Sequence, residues 1–144
     1  RVNMNGTDSE NGSGASDSEY GEFPLADYLG FDLEVVSDGE VTAVLDVKEC
    51  HHNPNGVVAG GVIFTLIDTA MGKAVFSILK ENQYCASIEI STRFLRPVTH
   101  GEITAQISVL KAGKRVVTLE ARVHGGSESE LVAVSTGTFA VIDT

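Results

Sequence analysis

Apolar positions divide the chain into one long, nearly unbroken stretch and a series of short alternating ones. Ala59 to Leu79 reads AGGVIFTLIDTAMGKAVFSIL and is apolar nearly all the way round, the pattern of a helix buried in a core rather than laid on a surface. At about 1.5 Å per residue it would be roughly 30 Å long. A membrane span needs about 20 predominantly apolar residues with few or no charges; this stretch holds Asp68, Lys73, two threonines and Gly72, so a core helix is predicted.

The rest reads as shorter elements. Phe23 to Phe31 (FPLADYLGF) predicts a short amphipathic helix, with Pro24 in its first turn and Gly30 as its stop. Leu33–Val36 and Glu40–Val47 predict a hairpin around Ser37-Asp38-Gly39, with Val41, Ala43, Leu45 and Val47 sharing one face. The loop Lys48–Val58 leads into the long helix. After Glu81-Asn82-Gln83 the period becomes two. In Tyr84–Leu95, Ile88 and Ile90 are expected on one face and Ser87, Glu89, Ser91 and Arg93 on the other. Glu102–Leu110 and Arg115–Val123 follow as strands joined at Lys111-Ala112-Gly113-Lys114, and Leu131–Ile142 follows a polar loop over Gly125–Glu130. One central helix with a run of antiparallel strands predicts an α+β fold, a single sheet wrapped around the helix. There are no internal repeats.

Composition narrows this picture. Residues 1–22 are Ser, Gly, Asn and acid with almost no large apolar side chains; such a segment is expected to be a disordered acidic tail, leaving 23–144 as one domain. The chain carries a net charge of -10, of which about -4 belongs to the tail. An acidic body argues against binding a phosphate backbone, so no nucleic-acid partner is expected; it would also suit a high-salt habitat. No basic region followed by an apolar run opens the chain, so no signal peptide is expected. Cys50 and Cys85 give neither a disulfide framework nor metal-ligand spacing. Both are expected to be buried free thiols in or beside strands, and the compartment a reducing one, the cytosol. His51 and His52 bring too few ligands for a metal site.

Two features suggest chemistry. Asp68 lies mid-helix between Leu66-Ile67 and Ala70-Met71, where an ionised carboxylate is costly unless paired, hydrogen-bonded or used. Gly60-Gly61 opens the helix although glycine costs about 1 kcal/mol against alanine within one. At a helix start its use is close backbone approach, with free amides at the positive end of the dipole.

The run HHNPNGVVAGGVIFTLIDTAMGKAV resembles the hotdog-fold acyl-CoA thioesterases, specifically their phenylacetate-pathway (PaaI-like) branch. The matching residues are His51, Asn53, Pro54 and Gly56, then Ala59-Gly60-Gly61, and Asp68 eight residues after the first glycine. Ser87-Ile88-Glu89-Ile90, Phe94 to Val98 and Gly137-Thr138-Phe139 extend the likeness, which covers about residues 23–142. The resemblance implies a five- or six-stranded antiparallel sheet around the helix, edge-to-edge homodimers with sites at their interface, and commonly homotetramers. It implies hydrolysis of an aryl or short- to medium-chain acyl-CoA to free acid and coenzyme A, with no metal or redox cofactor. Asp68 would be the catalytic carboxylate, as general base or nucleophile, and the Gly60 amide would polarise the thioester oxygen. Asn53 would help hold the carbonyl or the water, and Ser87 would position the water or Asp68. Gly61 would line the substrate site.

Arg93, Arg96, Lys111, Lys114 and Arg115 form a basic subset in an acidic chain, either solvated strand-end charge or a cradle for coenzyme A phosphates. Gly60 and Asp68 lie about 12 Å apart along one helix, too far to act on one carbonyl, so the spacing predicts a site shared between two subunits. The family usually has His where this chain has Ala59. Two alternatives stand beside hydrolysis: a non-catalytic acyl-CoA-binding module, and a hotdog dehydratase or hydratase. The second is disfavoured because the apolar helix offers no histidine base.

Overall fold

The computed structural model describes residues 22–144; the tail expected over 1–22 lies, except for Glu22, outside them. The elements are α1 (Pro24–Leu29), β1 (Phe31–Ser37), β2 (Glu40–Asp46), a 3-10 turn (Glu49–His51), α2 (Gly60–Phe76), β3 (Gln83–Phe94), β4 (Glu102–Ala112), β5 (Val116–Gly125) and β6 (Glu130–Asp143). One six-stranded sheet runs in the order β1-β2-β4-β5-β6-β3, and every neighbouring pair is antiparallel.

This is the wrapped-helix arrangement that the patterning predicts. Leu66, Ile67, Ala70, Met71 and Ala74 of α2 are fully buried. They meet strand residues such as Leu45, Ile103 and Leu119, which are also fully buried. Val41, Ala43 and Leu45 are buried along β2, as period two requires. A large side chain buried this way stabilises the fold by about 1.5–3 kcal/mol. Gly137 of β6 faces the helix so closely that a Cβ there would lie 2.6 Å from the Met71 sulfur; glycine lets α2 lie against the strand.

The chain crosses on α2 between β2 and β3, so β3 forms the far edge of the sheet. Its outer backbone edge has no partner strand among the described residues.

Four expectations are corrected. The helix ends at Phe76, not Leu79, and Ile78 and Leu79 lie in the turn that follows. Strict alternation fails in β3: Ser87 pairs with Phe139 but Glu89 with Thr138 and Ile90 with Gly137, leaving Ile88 as a bulge. The extra residue separates Ile88, 59% exposed, from Ile90, which packs on the core. It also puts Ser87 on the α2-facing side with Ile90, since directly opposed residues share a face. Cys50 is exposed rather than buried, because it lies in the 3-10 turn and not in a strand; Cys85 is half-buried. Finally, α2 is not covered all round: Gly61 and Phe64 are exposed, and Thr65 and Asp68 half-buried, along one stripe.

Candidate functional site

The start of α2 is held by the loop before it. Asn53 Oδ1 accepts the amides of Asn55 (2.9 Å) and Val57 (3.4 Å), an Asx-turn that tightens the chain around Pro54. The Asn53 Nδ2 has no hydrogen-bond partner among the described residues, so a donor is left facing outward. Val58 N–H donates to the Val98 carbonyl (2.8 Å), and Ala59 N–H to the His51 carbonyl (2.9 Å). Ala59 caps α2 in extended conformation, and its carbonyl accepts the Val62 and Ile63 amides. The amides of Gly60 and Gly61 have no acceptor among the described residues, so two donors sit at the positive end of the helix dipole. A Cβ on Gly60 would lie 3.2 Å from the Phe94 ring, which places an aromatic wall over this glycine. Beside it opens a cavity of about 270 Å³, lined by Val57, Ile63, Phe94, Arg96, Pro97 and Val98 among others.

Of the two loop histidines, His51 is not free to act as a base. The His51 ring is 1% exposed and both its nitrogens are bonded to backbone. His52 donates from Nε2 to the Thr99 carbonyl at 2.8 Å. Ala59, the departure noted from the resemblance, is half-buried.

Asp68 is half-buried and accepts no hydrogen bond or ion pair among the described residues. Burial pushes its carboxyl above the usual range, because desolvation disfavours the charged form. The helical hydroxyls nearby are committed: Thr65 donates to the Gly61 carbonyl and Thr69 to the Thr65 carbonyl, both at 2.7 Å. Cys85 of β3 faces the same region, with its sulfur 3.9 Å from the Gly72 carbonyl. Burial raises its thiol pKa first, and the Asp68 charge adds to it. Ser87 lies two residues on along the same face of β3 and is exposed. A neutral thiol and an unpartnered carboxylate thus lie near one another between α2 and the edge strand.

Within one chain the nominated residues fall into separate places. Gly60, Gly61 and Asn53 lie at the start of α2, with Asp68 about 12 Å along it. The basic residues separate as well. Arg96 is at the Gly60 end, in an exposed 3.7 Å ion pair with Glu130, a contact of little energetic weight. Arg93 is level with Val134 on β6 and Arg115 with Val141, which puts them about 23 Å apart along the strand. Lys114 and Arg115 line a cleft of about 870 Å³ past the end of α2, together with Ile78, Leu79, Lys80 and Gln83. Sequence assigned no site role to three residues of this region: Cys85, Phe94 and the buried His51. Period two did put Cys85 on the side of Ser87, but nothing local signals that Phe94 returns over Gly60. Among the described residues no group of three or more His, Cys, Asp or Glu is placed to hold a metal ion, and no helix is long and apolar enough to cross a membrane.

A family model described as the thioesterase superfamily matches residues 55–132. That span holds Gly60, Asp68 and Ser87, and Asn53 falls just before it. The chain is 34% identical over 148 residues to a Halobacterium salinarum protein that carries a provisional esterase name, covering 96% of this chain and 97% of that one. It is 26% identical over 117 residues to the 1,4-dihydroxy-2-naphthoyl-CoA hydrolase of Listeria monocytogenes, covering 81% and 94%. The structure of the PaaI protein from the phenylacetic acid degradation operon of E. coli superposes with a TM-score of 0.78 at 25% identity, over 87% of this chain and 88% of that one.

Proposed function

This chain belongs to the thioesterase superfamily and is a hydrolase of it, and from that premise we propose that it hydrolyses an aryl or short- to medium-chain acyl-CoA at a site completed by a second copy of itself. The observation that carries this reading is the half-buried, unpartnered Asp68, two helical turns from the free amides of Gly60 and Gly61. One carbonyl cannot reach both along a single helix. The bare outer edge of β3 supports the shared site, since an unpaired strand edge is a template for another strand. Tyr84, Ile88, Phe94 and Leu95 stand exposed along and just beyond that strand, an apolar set of the kind that marks an interface. Antiparallel pairing of two β3 strands would bring the Phe94 end of one beside the Gln83 end of the other. Gly60, Gly61, Arg93 and Arg96 of one copy would then face Asp68 and the Lys114-Arg115 cleft of its partner, giving the coenzyme phosphates a basic cradle from both. Pairing of such dimers into a tetramer belongs to the same reading, as does a cytoplasmic setting, which suits an exposed free Cys50.

In this site the Asp68 carboxylate takes a proton from water, and the water oxygen bonds to the thioester carbonyl carbon. The carbonyl oxygen becomes an oxyanion, received by the Gly60 amide at the helix start. The C–S bond then breaks, the sulfur leaves as thiolate and is protonated, and the products are a carboxylic acid and coenzyme A. The raised basicity of Asp68 favours the first step. Asn53 Nδ2 is a further donor toward the carbonyl, and Ser87 a partner for the water.

Thiol release from a panel of acyl-CoAs, by wild type and Asp68→Asn in parallel, tests this. The variant is expected to lose about 100- to 10,000-fold in rate while keeping its oligomeric state. Wild type that binds acyl-CoA yet frees no thiol from any of them would instead make this a binding module in which the Ala59 departure matters most.

A further inference from the structure

His51 is a buried side chain that the reaction above does not use. The Lys48 N–H donates to its Nδ1 at 2.9 Å, so Nδ1 carries no proton. The proton is on Nε2, which donates to the Leu29 carbonyl at the end of α1 at 2.8 Å. The backbone carbonyl of the same residue accepts the Ala59 N–H at 2.9 Å. Ala59 in turn bonds through its carbonyl to Val62 and Ile63, at 3.0 and 3.4 Å. The planar trans peptide joining Ala59 to Gly60 has its carbonyl turned down the helix, so the Gly60 N–H points the other way, out of the helix start. What precedes that peptide is fixed by one carbonyl, and that carbonyl is fixed by an imidazole ring bonded at both edges.

We infer that His51 is a positioning residue for the Gly60 amide: its two side-chain hydrogen bonds brace the carbonyl that sets the Ala59–Gly60 peptide, and they tie α1 into the same brace. This rests on the reading of Gly60 as the oxyanion donor. Imidazole suits the place because it presents an acceptor and a donor on opposite edges of one rigid plane. An asparagine side chain reaches only the Nδ1 position, and a glutamine only the Nε2 position. Each conservative variant therefore keeps one of the two bonds.

The test compares His51→Ala, His51→Asn and His51→Gln in the full chain. His51→Ala is expected to lower kcat about 10- to 100-fold, the scale of a misplaced oxyanion donor, with KM changing less than about threefold. The Asn and Gln variants should each recover part of kcat. In backbone-amide NMR the Ala59 amide should lose exchange protection and the Gly60 resonance should move in the Ala variant, both returning toward wild type in the other two. A lowered melting temperature with kcat per folded molecule and both amide signals unchanged would overturn the inference. If His51→Ala does not fold, the Asn and Gln variants against wild type carry the same comparison. Should wild type free no thiol, the thioesterase reading fails by itself, and the two amide signals still decide whether His51 sets this peptide.

Discussion

Asp68 has its environment against it. Burial raises its pKa, so the folded state binds the proton more tightly than the unfolded chain does. Protonated Asp68 therefore favours folding at low pH, and this contribution is lost as pH rises from the ordinary carboxylate range through the raised folded value. Asp68→Asn removes the charged form altogether. The variant should melt at a higher temperature than wild type at pH 7, with the gap closing below about pH 4; equal melting at both pH values would mean that the carboxylate is stabilised by contacts within the folded assembly. In the proposed reaction the same shift sets the pH dependence. Since the base must be ionised, kcat/KM should rise with pH through an apparent pKa above the usual carboxylate range. A half-buried carboxylate that lowers stability fits the role proposed for it.

At the scale of elements, the helix and the strands are fitted by small residues. Gly137 lies where any side chain would press on the fully buried Met71 and on Ile90. Gly137→Ala should therefore destabilise by about 1–3 kcal/mol, the usual cost of overpacking, read as a lower denaturant midpoint. Pairing it with a shortened side chain at Met71 should recover part of the loss, because the two sites share one space. The β3 bulge matters in the same way. By absorbing Ile88 it leaves Cys85 and Ser87 on the same side of the sheet as Ile90, which packs on the core. Period two, read from sequence, had no means of placing that extra residue, and so set Ser87 on the wrong face relative to Ile90.

At the scale of the whole molecule, the separation of Gly60 from Asp68 can be tested directly. Ala59 has φ -60° and ψ 136°, a conformation allowed before proline, and proline is accepted at the first position of a helix. Gly60→Pro therefore removes the amide proton with little demand on the backbone, although its ring must displace Phe94 slightly. Gly60→Pro and Asp68→Asn should each be inactive alone. Mixed in equal amounts and allowed to exchange subunits, they should recover about a quarter of wild-type activity, because half the dimers then carry one intact composite site of two. No recovery on mixing would point to a site within one chain.

The sequence by itself determined the elements and the chemistry on offer. An apolar run too charged for a membrane and too apolar for a surface had to be a core helix. Alternating segments after it had to be strands, and a carboxylate and a glycine pair at fixed spacing on that helix had to stand about 12 Å apart. These follow from local periodicity and from the rise of a helix, which need no distant contact. The tertiary structure decided what local pattern cannot carry. It closed the Phe94 ring over Gly60, made β3 an open edge, drew Cys85 up to Asp68, and sent the basic residues to opposite ends of the sheet. It also turned His51 from a loop histidine into a buried brace, since its partners at Leu29 and Ala59 meet only once the sheet has wrapped the helix.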